Sequence, residues 1–113
     1  MTLDDIQTAS REWRRLNFPA NTADEQFLGM TEELGELAHA ILKNKQGIRG
    51  FDDPVKFEAA LMDGLGDLII FMCGFADHHG ITLSQAVALA WAEVQERDWI
   101  TAPDNGQLTI ADA

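Results

Sequence analysis

Residues 61–76, LMDGLGDLIIFMCGFA, decide the fold. The run is apolar nearly throughout and reads as buried helix. Yet Asp63 and Asp67 lie inside it, and nothing in the run is positive. A buried carboxylate without a partner costs on the order of several kcal/mol, so it either takes up a proton or finds a cation. The rest of the chain has to supply whatever neutralises this pair.

Helix signals dominate on both sides of the run. Thr2 followed by Asp5 resembles a helix start, and that pattern continues to about Asn17. Pro19 and Asn21 mark a turn. Thr22 with Glu25 forms a capping box that opens a second helix, ending near Lys45. QGIRGFDD, residues 46–53, is a loop with two glycines. Asp53 then caps a third helix with Pro54 in its first turn, and Gly80 stops that helix after about His79. Thr82 with Gln85 is a further capping box, opening a fourth helix that continues to about Trp99. Residues 100–113, a tail, carry turn residues, with a short extended piece expected at Leu108–Ile110. Four helices with short connections predict an all-α, four-helix bundle-like fold. A length of 113 residues predicts a single domain, with its helical core at about 2–99.

Composition narrows the functional classes. The apolar fraction of 46% is that of a globular protein. A net charge of −11 repels nucleic-acid backbones, so no nucleic-acid partner is expected. The longest apolar run falls short of the roughly 20 residues that span a bilayer and carries two aspartates, so no membrane helix is expected. No basic segment followed by an apolar one opens the chain, which predicts no signal peptide and a cytoplasmic location. Cys73, the one cysteine, reads as a core residue in a reducing compartment.

Spacing separates a solvated acidic surface from a metal site. With Glu32 at zero and a turn of about 100° per residue, Glu36 falls near 40° and Glu33 near 100°. Leu34, Leu37, Ala38 and Ile41 fall between roughly 140° and 240°, so an apolar stripe and a three-carboxylate face are expected on different sides. Asp63 and Asp67, four apart, share a face of the third helix, flanked by Gly66 and Gly74. Glycine in mid-helix costs about 1 kcal/mol against alanine, which suggests close approach of something bulky. Two acidic sets on facing helices need a counter-charge. Hard divalent cations such as Mg²⁺ suit oxygen ligands and commonly hold phosphate substrates. Glu36 and His39 have the Glu-x-x-His spacing of di-iron bundles, but a second such pair is missing, so His39 reads as a rim residue. His78 and His79 close a helix beside Gly80, where the helix dipole favours a cation. Lys43, Lys45 and Arg49 cluster just past the acidic face and are candidates to receive phosphates.

EELGELAHAILK, residues 32–43, followed about thirty residues later by DGLGD, residues 63–67, resembles the MazG-like nucleoside triphosphate pyrophosphohydrolases. These belong to the all-α pyrophosphatase superfamily, with dimeric dUTPases, dCTP pyrophosphatases and phosphoribosyl-ATP pyrophosphatase. The resemblance covers roughly residues 22–99. It implies Mg²⁺-dependent (Mn²⁺ as an alternative) cleavage of a (d)NTP between the α and β phosphates, giving a monophosphate and pyrophosphate. Glu33, Glu36 and Asp67 match the family's metal ligands, and Glu32 matches an extra acid that binds metal or orients the water. Glu32 and Glu33 are thus the expected catalytic acids. The family's second motif places glutamate where this chain has Gly64; Asp63 shares Asp67's face and is the expected substitute. Arg97 matches a phosphate-binding arginine of the last helix, while Ala90 and Glu93 stand where relatives carry asparagine and lysine. Two other readings stay open: a phosphoribosyl-ATP or single-dNTP pyrophosphatase of the same fold, and a non-catalytic nucleotide- or metal-binding regulator.

The third helix is apolar almost all round. Leu61, Met62, Leu65, Leu68, Ile69, Phe71, Met72 and Phe75 exceed the single stripe of a monomeric bundle, so a homodimer or homotetramer is expected. The resemblance implies the same. A substrate pocket at a subunit interface would give Phe18 or Trp91 to the base.

Overall fold

The computed structural model describes residues 1–107. Four helices form, α1 (Leu3–Asn17), α2 (Ala23–Gln46), α3 (Pro54–His78) and α4 (Leu83–Val94), and no strand occurs among the described residues. The fold is all-α and bundle-like. The extended piece expected at Leu108–Ile110 lies outside the described residues. The chain divides into two compact units, Met1–Leu83 and a second beginning at Ser84.

Local chemistry explains the boundaries. Thr2 and Asp5 exchange hydrogen bonds in a complete capping box, with Asp5 N–H to Thr2 Oγ1 at 3.1 Å and Thr2 N–H to Asp5 Oδ2 at 2.9 Å. At α2 the Thr22 hydroxyl accepts from Glu25 N–H at 3.2 Å and donates to the Glu25 carboxylate at 3.1 Å. The Asp53 side chain accepts from Val55 N–H at 3.0 Å, and Pro54 takes the first helical position. Gly47 (φ 68°) and Gly80 (φ 64°) end α2 and α3 in the left-handed region. The paired bonds of a Schellman turn follow each, Ile48 N–H to Lys43 C=O at 3.1 Å and Ile81 N–H to Ala76 C=O at 2.9 Å.

The fourth helix is shorter than its sequence pattern predicts, ending at Val94 and not near Trp99. Asp98 is the reason. Its carboxylate accepts from the N–H groups of Ile100 and Thr101 at 3.0 and 3.1 Å, and its own N–H donates to Gly106 C=O at 2.7 Å. That local bonding offers the backbone an alternative to helix.

In the first unit α3 is central, with α1 and α2 packed against it. By length and composition α3 could cross a membrane, the one described helix of which this is so. Close approach of α2 depends on glycine. A Cβ on Gly64 would lie 2.7 Å from Leu37 Cδ2, and one on Gly29 would enter the Phe71 ring. Gly74 lets Gln26 and Arg14 lie directly on the α3 backbone. Gly66, expected to admit something bulky, has open space over it.

Of the apolar stripe of α2 only Leu37 meets α3, at Gly64; Leu34, Ala38 and Ile41 do not face the core. The buried residues of α2 are Gln26, Glu33 and Ala40, whereas Leu34 is 54% and Ile41 42% exposed. The packing direction runs through Glu33, about a quarter turn from the stripe. On α3, Met62, Leu65 and Ile69 are likewise exposed, between roughly 160° and 220° from Asp67, while the residues against α2, Gly74, Phe71, Gly64 and Phe75, lie between roughly −20° and 80°. Around each helix the order is acid, contact, stripe. The acids therefore share one side of the α2–α3 pair, and the two bare stripes share the other.

Two substitutions test this packing. Gly74→Ala should destabilise by roughly 1–3 kcal/mol, because the new methyl meets buried polar side chains. Gly35→Ala, with open space over it, should stabilise by up to about 1 kcal/mol. Thermal unfolding measures both; a neutral Gly74→Ala would contradict the placement of Gln26 and Arg14.

Candidate metal centre and adjoining cavity

Glu32, Glu33 and Glu36 come together on one face of α2, each offering a carboxylate oxygen within 4.8 Å of the others. Ligand oxygens at 2.0–2.1 Å from Mg²⁺ lie at most about 4.2 Å apart, so small side-chain rotations close the set around one ion. Glu32 and Glu36 are exposed, but Glu33 is only 6% exposed and its Oε2 has no hydrogen-bond partner. A buried acceptor left unsatisfied is costly in its charged form. Burial pushes the Glu33 carboxyl up to about 7; the Glu36 charge and a hydrogen bond with Glu36 add to it, and Asp67 and Glu32 contribute further.

The aspartates of α3 differ from the sequence expectation. Neither is fully buried: Asp63 is exposed and Asp67 half-buried. The carboxyl of Asp67 is raised by partial burial, then by the charges of Asp63 and Glu36, so the two acidic sets do meet. The carboxylate most in need of a partner is Glu33, on the neighbouring helix. At position 64, Leu37 fills the space that a side chain would take. A small pocket of about 250 Å³ opens nearby, lined in part by Glu36, His39, Phe51 and Asp63, which places His39 on the rim of the acidic face.

A larger cavity of about 720 Å³ lies against the same acids. Trp13, Phe18, Ile70 and Phe71 supply apolar wall, Arg14, Asn21 and Gln26 polar wall, and Glu33 and Asp67 one boundary. Trp13 and Phe18 meet edge to face with centroids 5.8 Å apart. Of the two aromatic residues expected at a base, Phe18 lines this cavity. Trp91 belongs to α4 and is 60% exposed.

Partly buried polar bonds hold α1 over the cavity. Asp77 accepts from Gln7 at 2.9 Å, Arg11 at 2.9 Å and Arg14 at 3.0 Å. Burial raises the Asp77 carboxyl, but these three hydrogen bonds outweigh it and hold it below the ordinary value. Gln7 also donates to Ile81 C=O and accepts from Leu83 N–H, both at 2.9 Å. Sequence reasoning missed the α1 contribution because Arg14 and Asp77 are 63 residues apart. The one local signal was an arginine among the apolar positions of α1.

The basic candidates are spread. Lys43 donates to Gln46 Oε1 at 3.0 Å, Lys45 is exposed, and Arg49 is exposed in the left-handed region (φ 58°). Arg97 lies in the second unit, beside a small cavity it shares with Glu93, Glu96 and Gln107. Comparison of the chain with family models, curated proteins and solved structures gives no match.

The raised carboxyls make a prediction about stability in EDTA. A folded-state value above the unfolded 4.5 means that the folded protein binds the proton more tightly, so the Glu33 contribution is full below 4.5 and lost as pH rises to about 7. Asp67 acts in the same direction, and Asp77 in the opposite one, losing its contribution as pH falls below 3.8. The melting temperature of the metal-free protein should therefore fall between pH 4.5 and 7, and Glu33→Gln should flatten that fall. Equal slopes for the two proteins would show that Glu33 is not the titrating group.

Proposed function

We propose that the chain is a divalent-cation-dependent nucleoside triphosphate pyrophosphohydrolase. The observation that supports this best is the buried Glu33, whose Oε2 has no hydrogen-bond partner, in a three-glutamate cluster at the edge of a cavity of about 720 Å³ with aromatic walls. The resemblance of residues 32–43 and 63–67 to the MazG-like enzymes points the same way. Glu33, Glu36 and Asp67 hold the cation, with Asp63 and Glu32 beside them. The donor set is all carboxylate oxygen, which suits Mg²⁺ or Mn²⁺. When bound, the ion neutralises phosphate charge and lowers the pKa of a coordinated water.

The chain's own residues do the rest. Trp13, Phe18 and Phe71 take the base and sugar in the cavity, excluding water from one side of the phosphates. Glu32, exposed at the edge of the cluster, orients the attacking water. Water adds to the α-phosphorus as the α–β anhydride bond breaks, releasing the monophosphate and pyrophosphate. Lys43, Lys45 and Arg49 receive the outer phosphates.

Self-association completes the reading. The back of the α2–α3 pair exposes Phe27, Leu34 and Ile41 at seven-residue spacing, with Met62, Leu65 and Ile69 alongside. Two stripes on one face make half of a four-helix bundle, and a second copy of the chain supplies the other half.

With Mg²⁺, pyrophosphate and not orthophosphate should be the first product from one or more members of a panel of NTPs, dNTPs and phosphoribosyl-ATP, resolved by chromatography. Asp67→Asn should cost orders of magnitude in rate, since metal catalysis supplies several kcal/mol (order of magnitude) of the barrier reduction. Full activity in excess EDTA, or orthophosphate first, would refute the hydrolase; cation and nucleotide binding without turnover would favour the regulator. Removing the charges of Lys43, Lys45 and Arg49 together should raise KM for the triphosphate, and unchanged kinetics would remove them from the site.

Sedimentation at micromolar concentration should show at least a dimer. An active, well-folded monomer would contradict the back-face pairing.

A further inference from the structure

We propose that the pocket between α1 and the C-terminal end of α3 is a binding site for a phosphate-bearing anion, separate from the acidic cluster. REWRR, residues 11–15, puts three of the chain's eight basic residues within about one helical turn, spread over about 100° of the circumference. Arg14 is buried and Arg11 and Arg15 are exposed, yet all three meet at one place. Arg11, Arg14 and Arg15 line one pocket of about 290 Å³ with Asn21, Asp77 and His78.

The pocket is built, not incidental. The Arg14 side chain is 7% exposed and is fixed by Asp77 at 3.0 Å and by Ser10 Oγ at 3.2 Å. Asp77 fixes Arg11 as well, at 2.9 Å. One partly buried carboxylate thus positions two guanidinium groups and offsets only one of their charges. Arg15 adds a third, held by Glu12 on the exposed side of α1. Three positive groups against Asp77 and Glu12 leave this corner positive in a chain of net charge −11. The Asp77 and Ser10 bonds use two of Arg14's five N–H donors and one of Arg11's, so donors remain to grip an oxyanion. Planar guanidinium forks suit phosphate oxygens. His78, whose Nε2 lies 2.6 Å from Asn21 Oδ1, completes the wall.

The phosphoryl group has two possible sources. It belongs either to a free small anion or to a nucleotide held in the neighbouring cavity, which shares Arg14 and Asn21 with this pocket. The inference does not rest on hydrolysis, and its test omits metal.

The test is an NMR titration of the full chain in EDTA, following the arginine Nε–H and His78 ring signals. One arm adds inorganic pyrophosphate, the other a nucleoside 5′-monophosphate. Saturable shifts at Arg11, Arg14 and Arg15 are expected in at least one arm, with Kd weakened at least tenfold by Arg15→Gln and by Arg11→Gln and unchanged by Glu58→Gln, an exposed position of α3 outside both cavities. Arg11 and Arg15 are exposed, so both variants should fold, which their amide spectra check. Saturation by pyrophosphate supports a free-anion site; saturation by the monophosphate alone, with Trp13 shifting too, supports the nucleotide source. Absence of saturable shifts in both arms, or equal affinity in the arginine variants, would overturn the proposal.

Discussion

Burial of the Glu33 carboxylate against α3 is the constraint on which the rest of the first unit depends. Packing α2 through Gln26, Glu33 and Ala40 puts a charge-bearing group where a leucine would ordinarily go. That choice turns most of the apolar stripe of α2 out of the chain's own interior. It also brings Glu36 and Asp67 close enough to oppose ionisation of Glu33. An interior so arranged is poorly stabilised by its own contacts. Its buried apolar members are Ala40, Leu68, Cys73 and Ala76, small residues apart from Leu68. The larger apolar side chains are spent elsewhere, on a cavity wall and on an outward face. Both features fit the proposal of a cation on one side of the helix pair and a second copy of the chain on the other.

The arginine–aspartate network on the opposite flank of α3 gives the acidic side its roof. Asp77 draws Gln7, Arg11 and Arg14 from three successive turns of α1, and Gly74 allows Arg14 and Gln26 to lie flat on α3. Within this set Arg14 is the buried cation, and its removal would leave Asp77 short of a partner at a cost of about 3–5 kcal/mol, whereas the exposed Arg11 contributes little to stability. The roof matters chemically because cavity walls of tryptophan and phenylalanine lower the local dielectric. Charges at the cavity edge interact more strongly there than in water.

Helix existence was legible in the sequence because its signals are local. Thr2, Thr22, Asp53, Gly47 and Gly80 each act within a few residues, and each does in the structure what its type predicts. The rotation of α2 was not legible. Periodicity located the stripe of Leu34, Leu37, Ala38 and Ile41, but which residues meet α3 is settled by pairwise fit, here Gly29 to Phe71 and Gly64 to Leu37, and the rest of the stripe stays exposed. The same limit misjudged Asp63, which apolar neighbours in sequence made look buried, although those neighbours point elsewhere. The acidic cluster could be read from spacing because i, i+3 and i+4 place side chains together on any helix. The cavity could not, since Trp13, Gln26 and Phe71 come from three helices. The end of α4 was missed because the bonding of Asp98 competes with a helical pattern that its sequence otherwise supports.

The central claim is that Glu33 is a buried carboxyl awaiting a cation, and its own titration tests this most directly. Carboxyl ¹³C signals of Glu33, followed against pH in EDTA, should give a midpoint near 7. Saturating Mg²⁺ should move the midpoint below the ordinary 4.5, because an ion in the cluster displaces the proton. A midpoint already at 4.5 without metal, or one that Mg²⁺ leaves unmoved, would contradict the account.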